Sequence, residues 1–183
     1  VGQERLAEKL GVSRTPLIKA LQQLSNENIL MHMPRKGFVV KKYGADEMMR
    51  LHRIREACEA VAAYDACERA SDEQIEDLYQ LFAPFTSVTD WTEEMTEKYL
   101  KADIKFHHTI VRLADNPFLV QALKNTGFLI LTYQRGLLQH PSITLKAHME
   151  IIESLRARDP ERTQKLFEQH LRAGRDNIRK LFG

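Results

Sequence analysis

Asp103 and His107 stand four residues apart in KADIKFHHTI and so share one face of any helix that carries them. His148 and His170 follow, one eleven residues before Asp159 and the other eleven after it. With Asp159-Pro160 as the turn of an antiparallel helical hairpin, equal distance from the turn means equal height, and the two imidazoles can face one another. Three imidazoles and one carboxylate are a coherent ligand set for Zn²⁺, Mn²⁺, Ni²⁺ or Fe²⁺. A dication held by one carboxylate keeps a net positive charge, and four protein ligands leave open positions on an octahedral ion. Such a centre would attract a small carboxylate. Two core histidines and a surface Asp/His pair would show the same spacing, and spacing alone does not choose between them.

An open position on such an ion can also activate water, so a metal-dependent hydrolase using the same three His and one Asp is the alternative function. Hydrolysis needs a general base nearby. Glu150 and Glu168 are each two residues from a candidate histidine, about 200° round a helix, and point away. No nucleophile motif or phosphate-binding glycine loop accompanies them. His108 is turned about 100° from the ligand face and reads as a packing or surface residue. His32, His52 and His140 read as solvated.

The elements that must position these groups are helices. Residues 46–70 read as one long helix, and Ser71 caps a second that runs to Phe82. Asp90 or Thr92 opens a third that reaches Asp115. Asn116-Pro117, Pro141-Ser142 and Asp159-Pro160 open three more, ending near His140, Arg158 and Leu181. Short capped connections imply antiparallel neighbours, so residues 46–183 are expected to form an antiparallel six-helix bundle. In the fourth helix Gly127 falls level with Asp103 and His107, where a missing side chain leaves room for a ligand, and Tyr133 and Arg135 could line that space. Cys58 and Cys67 lie on one predicted helix, roughly 13 Å apart at ~1.5 Å rise per residue, too far for a disulfide. That usage suits a reducing cytoplasm. No apolar run approaches the ~20 residues needed to span a bilayer.

The N-terminal stretch is of another kind. Gln3 to Leu10 has helical spacing, Gly11 ends it, and Val12 can plug the angle to a second helix capped by Ser13 with Pro16 in its first turn. Leu17, Ala20, Leu21 and Leu24 form an apolar stripe opposite Arg14, Thr15, Lys19, Gln22 and Gln23. That polar face suits a major groove, although an ordinary helical hairpin shares the pattern. Ile29 to Met33 and Phe38 to Lys42 then read as two strands around the turn Pro34-Arg35-Lys36-Gly37, whose cations can lie along phosphates. Residues 1–42 hold eight Lys or Arg against three Glu, a net +5, whereas the whole chain is +2, which leaves −3 to residues 43–183. A basic head on a mildly acidic body fits a DNA-binding module joined to one that does not touch DNA.

GVSRTPLIKAL followed by PRKGFVV resembles the winged helix-turn-helix of the GntR family of bacterial transcription regulators. Ser13, Arg14, Thr15, Pro16, Ala20 and Leu21 match its motif, and Gly37 matches its wing tip. Ile18 stands where the family has a DNA-contacting Arg, and Lys19 where it has Glu. The resemblance assigns DNA contact to Ser13 and Arg14, with Thr15, Lys19, Arg35, Lys36 and Gly37 beside them on the same surfaces. It also implies one further helix before residue 1, so the winged domain, residues 1–43, is expected to be incomplete at its N-terminus.

Residues 46–183 resemble the FCD effector and dimerisation domain of the FadR subfamily, in its six-helix VanR-like branch. The matching residues are Arg55 and Glu59 in LHRIREACEAVA, Asp103 and His107, Asp115-Asn116-Pro117, His148 and His170. The resemblance implies a divalent metal, zinc first among those named, on Asp103, His107, His148 and His170. It implies an effector carboxylate on Arg55, with a salt bridge to Glu59 as the competing role of that arginine. The whole reads as a metabolite-responsive repressor in the cytoplasm. It would bind a pseudo-palindromic operator in double-stranded DNA as a homodimer and answer to a small organic acid.

Overall fold

The computed structural model describes residues 2–125 and 139–182. Among them are eight α-helices and one two-stranded antiparallel sheet. Helix α1 spans Gln3–Leu10 and α2 spans Arg14–Asn26. Gly11 joins them at φ 65°, a left-handed conformation that suits glycine, and its N–H and that of Val12 close the end of α1. Strands β1, Leu30–Met33, and β2, Gly37–Val40, pair with Met33 opposite Gly37. The three-residue turn between them puts Arg35 at φ 64° and Gly37 at φ 72°. Both strands are a little shorter than the alternation suggests, although Lys41 N still donates to Ile29 O at 3.0 Å.

This head closes on a small core of Ala7, Leu17, Leu21, Leu30 and Phe38. Two expected members are missing from it. Val12 is 44% exposed rather than plugging the α1–α2 angle, and Ala20 is exposed. The left-handed turn at Gly11 directs Val12 outward, and Leu17 and Leu21 suffice to cover so small a sheet.

The body has six helices among the described residues: α3 (Ala45–Arg69), α4 (Asp72–Phe82), α5 (Glu93–Leu113), α6 (Pro117–Asn125), α7 (Pro141–Arg156) and α8 (Pro160–Phe182). The caps explain their starts. Ser71 and Gln74 form a reciprocal capping box on α4, and the Thr92 hydroxyl accepts from Met95 N on α5. Asn116 accepts from Phe118 N and Leu119 N, and Asp159 accepts from Arg162 N. Gly127, Tyr133 and Arg135 lie outside the described residues.

α3 is the spine, packing chiefly on α8 and also on α5 and α6. Ala60, Ala62, Ala63 and Ala66 are buried along it, and such small side chains let two helices approach closely. Phe82, Phe106, Phe167, Ile110, Ile151 and Leu155 fill the centre and are fully buried. Cys58 and Cys67 are both free thiols.

Candidate functional site

The bundle brings the four candidate ligands together. One ligand atom each from Asp103, His107, His148 and His170 lies within 4.8 Å of the others. His170 Nε2 is 3.2 Å from His107 Nε2, and His148 Nε2 is 3.3 Å from Asp103 Oδ1. Donor atoms around a tetrahedral zinc at ~2.0–2.1 Å would sit about 3.3 Å from one another. α5 supplies Asp103 and His107 one turn apart, and α7 and α8 supply His148 and His170 at equal height across their hairpin.

The far side of two imidazoles is fixed by buried partners. His107 Nδ1 donates to Glu59 Oε2 at 2.6 Å, and Arg55 Nε donates to Glu59 Oε1 at 2.5 Å. His148 Nδ1 lies 2.9 Å from the Tyr99 hydroxyl, which is 2.9 Å from Thr144 Oγ1, and that hydroxyl reaches Pro141 O. With Nδ1–H of each imidazole donating outward, both Nε2 lone pairs face the centre. That is how protein metal sites orient histidine. Phe82 stacks on the His148 ring at 4.5 Å between centroids and Phe106 closes another side, which keeps water away.

Electrostatics favour the same reading. Burial first, then the neighbouring imidazoles, hold His148 and His170 well below the ordinary value of 6.5. Both are therefore neutral at pH 7, with lone pairs ready for a cation. Burial raises Asp103, against the pull of His107 and Arg55. The contact between Asp103 and His148 is thus no salt bridge, since burial pushes each partner toward its neutral form. A dication between them would reverse that and hold the carboxylate ionised. Glu59 behaves oppositely: burial would raise it, but Arg55 and His107 outweigh burial and hold it at about 2. His148 Nε2 is fully buried and has no hydrogen-bond partner. An orphaned imidazole nitrogen aimed at three other donors is what a metal centre needs. The residues present fit a divalent ion.

Arg55 is only 4% exposed at its side chain and is engaged with Glu59, the competing role expected for it. Glu59 and Tyr99 as orienting groups were not apparent from spacing, although Tyr99, Asp103 and His107 share one face at steps of four. His52 differs from expectation. It is 6% exposed rather than solvated, because α8 covers the α3 face that carries it, and its Nδ1 has no partner. His32 and His140 are exposed, and His140 caps α7.

In the head, Ser13 occupies the N-cap of α2, yet its side chain makes no capping bond. Arg14 is 62% exposed and meets Glu4 at 3.1 Å, and Thr15 and Lys19 are exposed along the same helix. Arg35 and Lys36 are exposed at the tip of the hairpin, with Gly37 just behind.

A two-helix head with a β-wing, joined to an all-helical bundle that gathers three imidazoles and a carboxylate, is the build of a bacterial transcription regulator. Residues 2–40 match the bacterial regulatory proteins of the gntR family, and residues 50–173 match the FCD domain. The chain belongs to the gntR family of bacterial regulatory proteins and carries its FCD domain; its relatives are named as regulators, not enzymes. The Nta operon transcriptional regulator of Aminobacter aminovorans is 32% identical over 126 residues, which is 68% of this chain and 58% of that protein. This chain thus spans less than two thirds of that relative. The HTH-type transcriptional repressor RspR of Escherichia coli (strain K12) is 20% identical over 184 residues, covering 99% of this chain and 80% of RspR. The solved structure of E. coli McbR/YncC shares the fold, with a TM-score of 0.78 at 20% identity over 99% of this chain and 87% of that one. No helix among the described residues is long and apolar enough to cross a membrane.

Proposed function

We propose that this protein is a cytoplasmic repressor that binds a pseudo-palindromic operator as a homodimer and is controlled by a small carboxylate at a divalent metal. The observation that carries the reading is the convergence of Asp103, His107, His148 and His170 within 4.8 Å, deep in a helical body attached to a winged head. Zinc suits three neutral imidazoles and one carboxylate, and when bound it would supply a fixed positive charge and take an acid oxygen by expanding its coordination beyond four. The head offers Ser13, Arg14, Thr15 and Lys19 to the major groove, and Arg35, Lys36 and Gly37 to the backbone. An exposed apolar stripe on α3, with Ile54 45% and Val61 41% exposed, and Phe118 at 84% on α6 give a second copy a surface to cover. Arg55, Tyr133 and Arg135 remain candidate effector contacts.

Control needs a path from the centre to the head. α8 carries His170 and, two turns on, Ile178, which packs with the buried Met48 in the first turn of α3. Tyr43 packs on that contact and donates to Asn28 O in the head at 2.6 Å. An acid that binds one setting of α8 better than another would shift the joint, and with it the spacing of the two heads.

The test combines metal analysis with DNA binding. Purified protein should hold about one divalent ion per chain, and His148→Ala and His170→Ala should each lose it. Gel shifts on DNA upstream of its own coding sequence should respond to small acids only while the ion is present. Retention of the ion by both variants would remove the ligand assignment.

A further inference from the structure

Helix α2 carries a large apolar side chain that the head core does not use. Leu17 and Leu21 are buried in that core, and the half-buried apolar residues packed against it among the described residues are Leu6, Leu24 and Ile29. Ile18 is half-buried as well and is not one of them.

Its place on the helix is among polar groups. At about 100° per residue, Ile18 stands about 40° round the axis from Arg14, with Gln22, Thr15 and Lys19 at about 80°, 100° and 140°. Leu17 and Leu21 fall on the other side of Arg14. Arg14, Thr15, Lys19 and Gln22 are all exposed, so Ile18 lies inside the polar arc that faces away from the core. Arg14, Thr15 and Gln22 are its neighbours at three and four residues, the spacing that brings side chains together on a helix surface. The first turn of α2 holds no acidic residue, and the head presents Lys19, Arg35 and Lys36 as exposed cations. These surroundings suit a polyanion.

A major groove that receives this arc brings base edges against Ile18. Isoleucine has neither donor nor acceptor, so it cannot pair with the nitrogen and oxygen groups that mark each base. A polar edge pressed against it loses water without a replacement. The apolar group on the major-groove edge is the C5-methyl of thymine. Resting on the reading of the head as the module that binds an operator half-site, we infer that Ile18 is a specificity-determining residue that packs on a thymine methyl group, one in each half-site.

The test starts with selection of duplexes by the full chain from a random-sequence pool, which yields the preferred half-site. Each thymine of that half-site is then replaced in turn by deoxyuridine, which removes the methyl group and keeps the base pair. One such position should weaken binding ~4-fold per half-site, and ~15-fold when both half-sites are changed. Ile18→Ala should bind the thymine and deoxyuridine duplexes alike. Ile18→Arg, selected on the same pool, should enrich guanine at that base pair, where its fork can reach O6 and N7. A half-site in which no deoxyuridine costs affinity, or a penalty unchanged in Ile18→Ala, would overturn the inference. The first of these results needs no variant, so a head that misfolds on substitution does not mask it. If a sequence is enriched and none of its methyl groups matters, the DNA-binding reading stands and Ile18 alone loses its role. If the chain enriches no sequence, both fall.

Discussion

Glu59 on α3 and His107 on α5, 48 residues apart in the chain, meet at 2.6 Å with the carboxylate fully buried and the imidazole 1% exposed. Glu59 fixes which imidazole nitrogen carries the proton, and so turns Nε2 of His107 toward His170. Arg55 on the opposite oxygen keeps the carboxylate ionised.

Glu59→Gln should therefore weaken zinc binding by ~10–100-fold, as removal of an orienting partner does elsewhere. It should also cost about 3–5 kcal/mol of folding stability, because the buried Arg55–Glu59 ion pair at 2.5 Å loses its charged acceptor. Competition against a chromophoric chelator and urea unfolding read the two effects separately. Zinc affinity equal to that of the parent would show that His107 needs no such partner.

Acid should destabilise the metal-free protein well above the carboxylate range. Burial holds His52 at about 3, and His148 and His170 well below 6.5. Below pH 6.5 the unfolded chain takes up protons that the folded chain refuses, so stability falls as pH falls. The slope should be ~1.4 kcal/mol per pH unit for each such histidine. Glu59 acts in a lower window: its contribution is complete above the ordinary 4.5 and is lost toward pH 2. Urea midpoints in chelator between pH 7.5 and 5 should decline, and His52→Phe should flatten the slope by about a third. A level profile would contradict the burial of these imidazoles.

The head predicts two kinds of loss. Arg14→Ala should cost ~1–3 kcal/mol of operator affinity and relax base preference, because its exposed contact with Glu4 is easily given up. Arg35→Ala and Lys36→Ala should each weaken all DNA alike and lower the salt slope by ~1. Anisotropy titrations on specific and scrambled duplexes at several salt concentrations distinguish the two. Uniform, salt-sensitive weakening by Arg14→Ala would move that residue to the phosphates.

Much of the architecture was legible because its signals are local. Ser71, Thr92, Asn116 and Asp159 each bond the backbone a few residues on, so the cap and the helix start are read from one short stretch. The hairpin symmetry about Asp159 set the heights of His148 and His170 in the same way. Less was legible where rotation of a helix about its own axis matters. His52 is one turn from Glu56 on α3, and only the seating of α8 on that face decides that it is buried. Val12 points outward because of the single backbone angle at Gly11.

The sequence by itself determined a winged head, a capped helical bundle, and His148 and His170 at matching heights, since periodicity, caps and turn residues act over one or two turns of chain. Tertiary structure decided the rest: Glu59 behind His107, Tyr99 behind His148, and Arg55 engaged with Glu59. Those contacts join residues 45 or more apart or depend on which face a helix presents. At about 100° per residue, a small rotation of one helix chooses a different neighbour, and no local pattern records that choice.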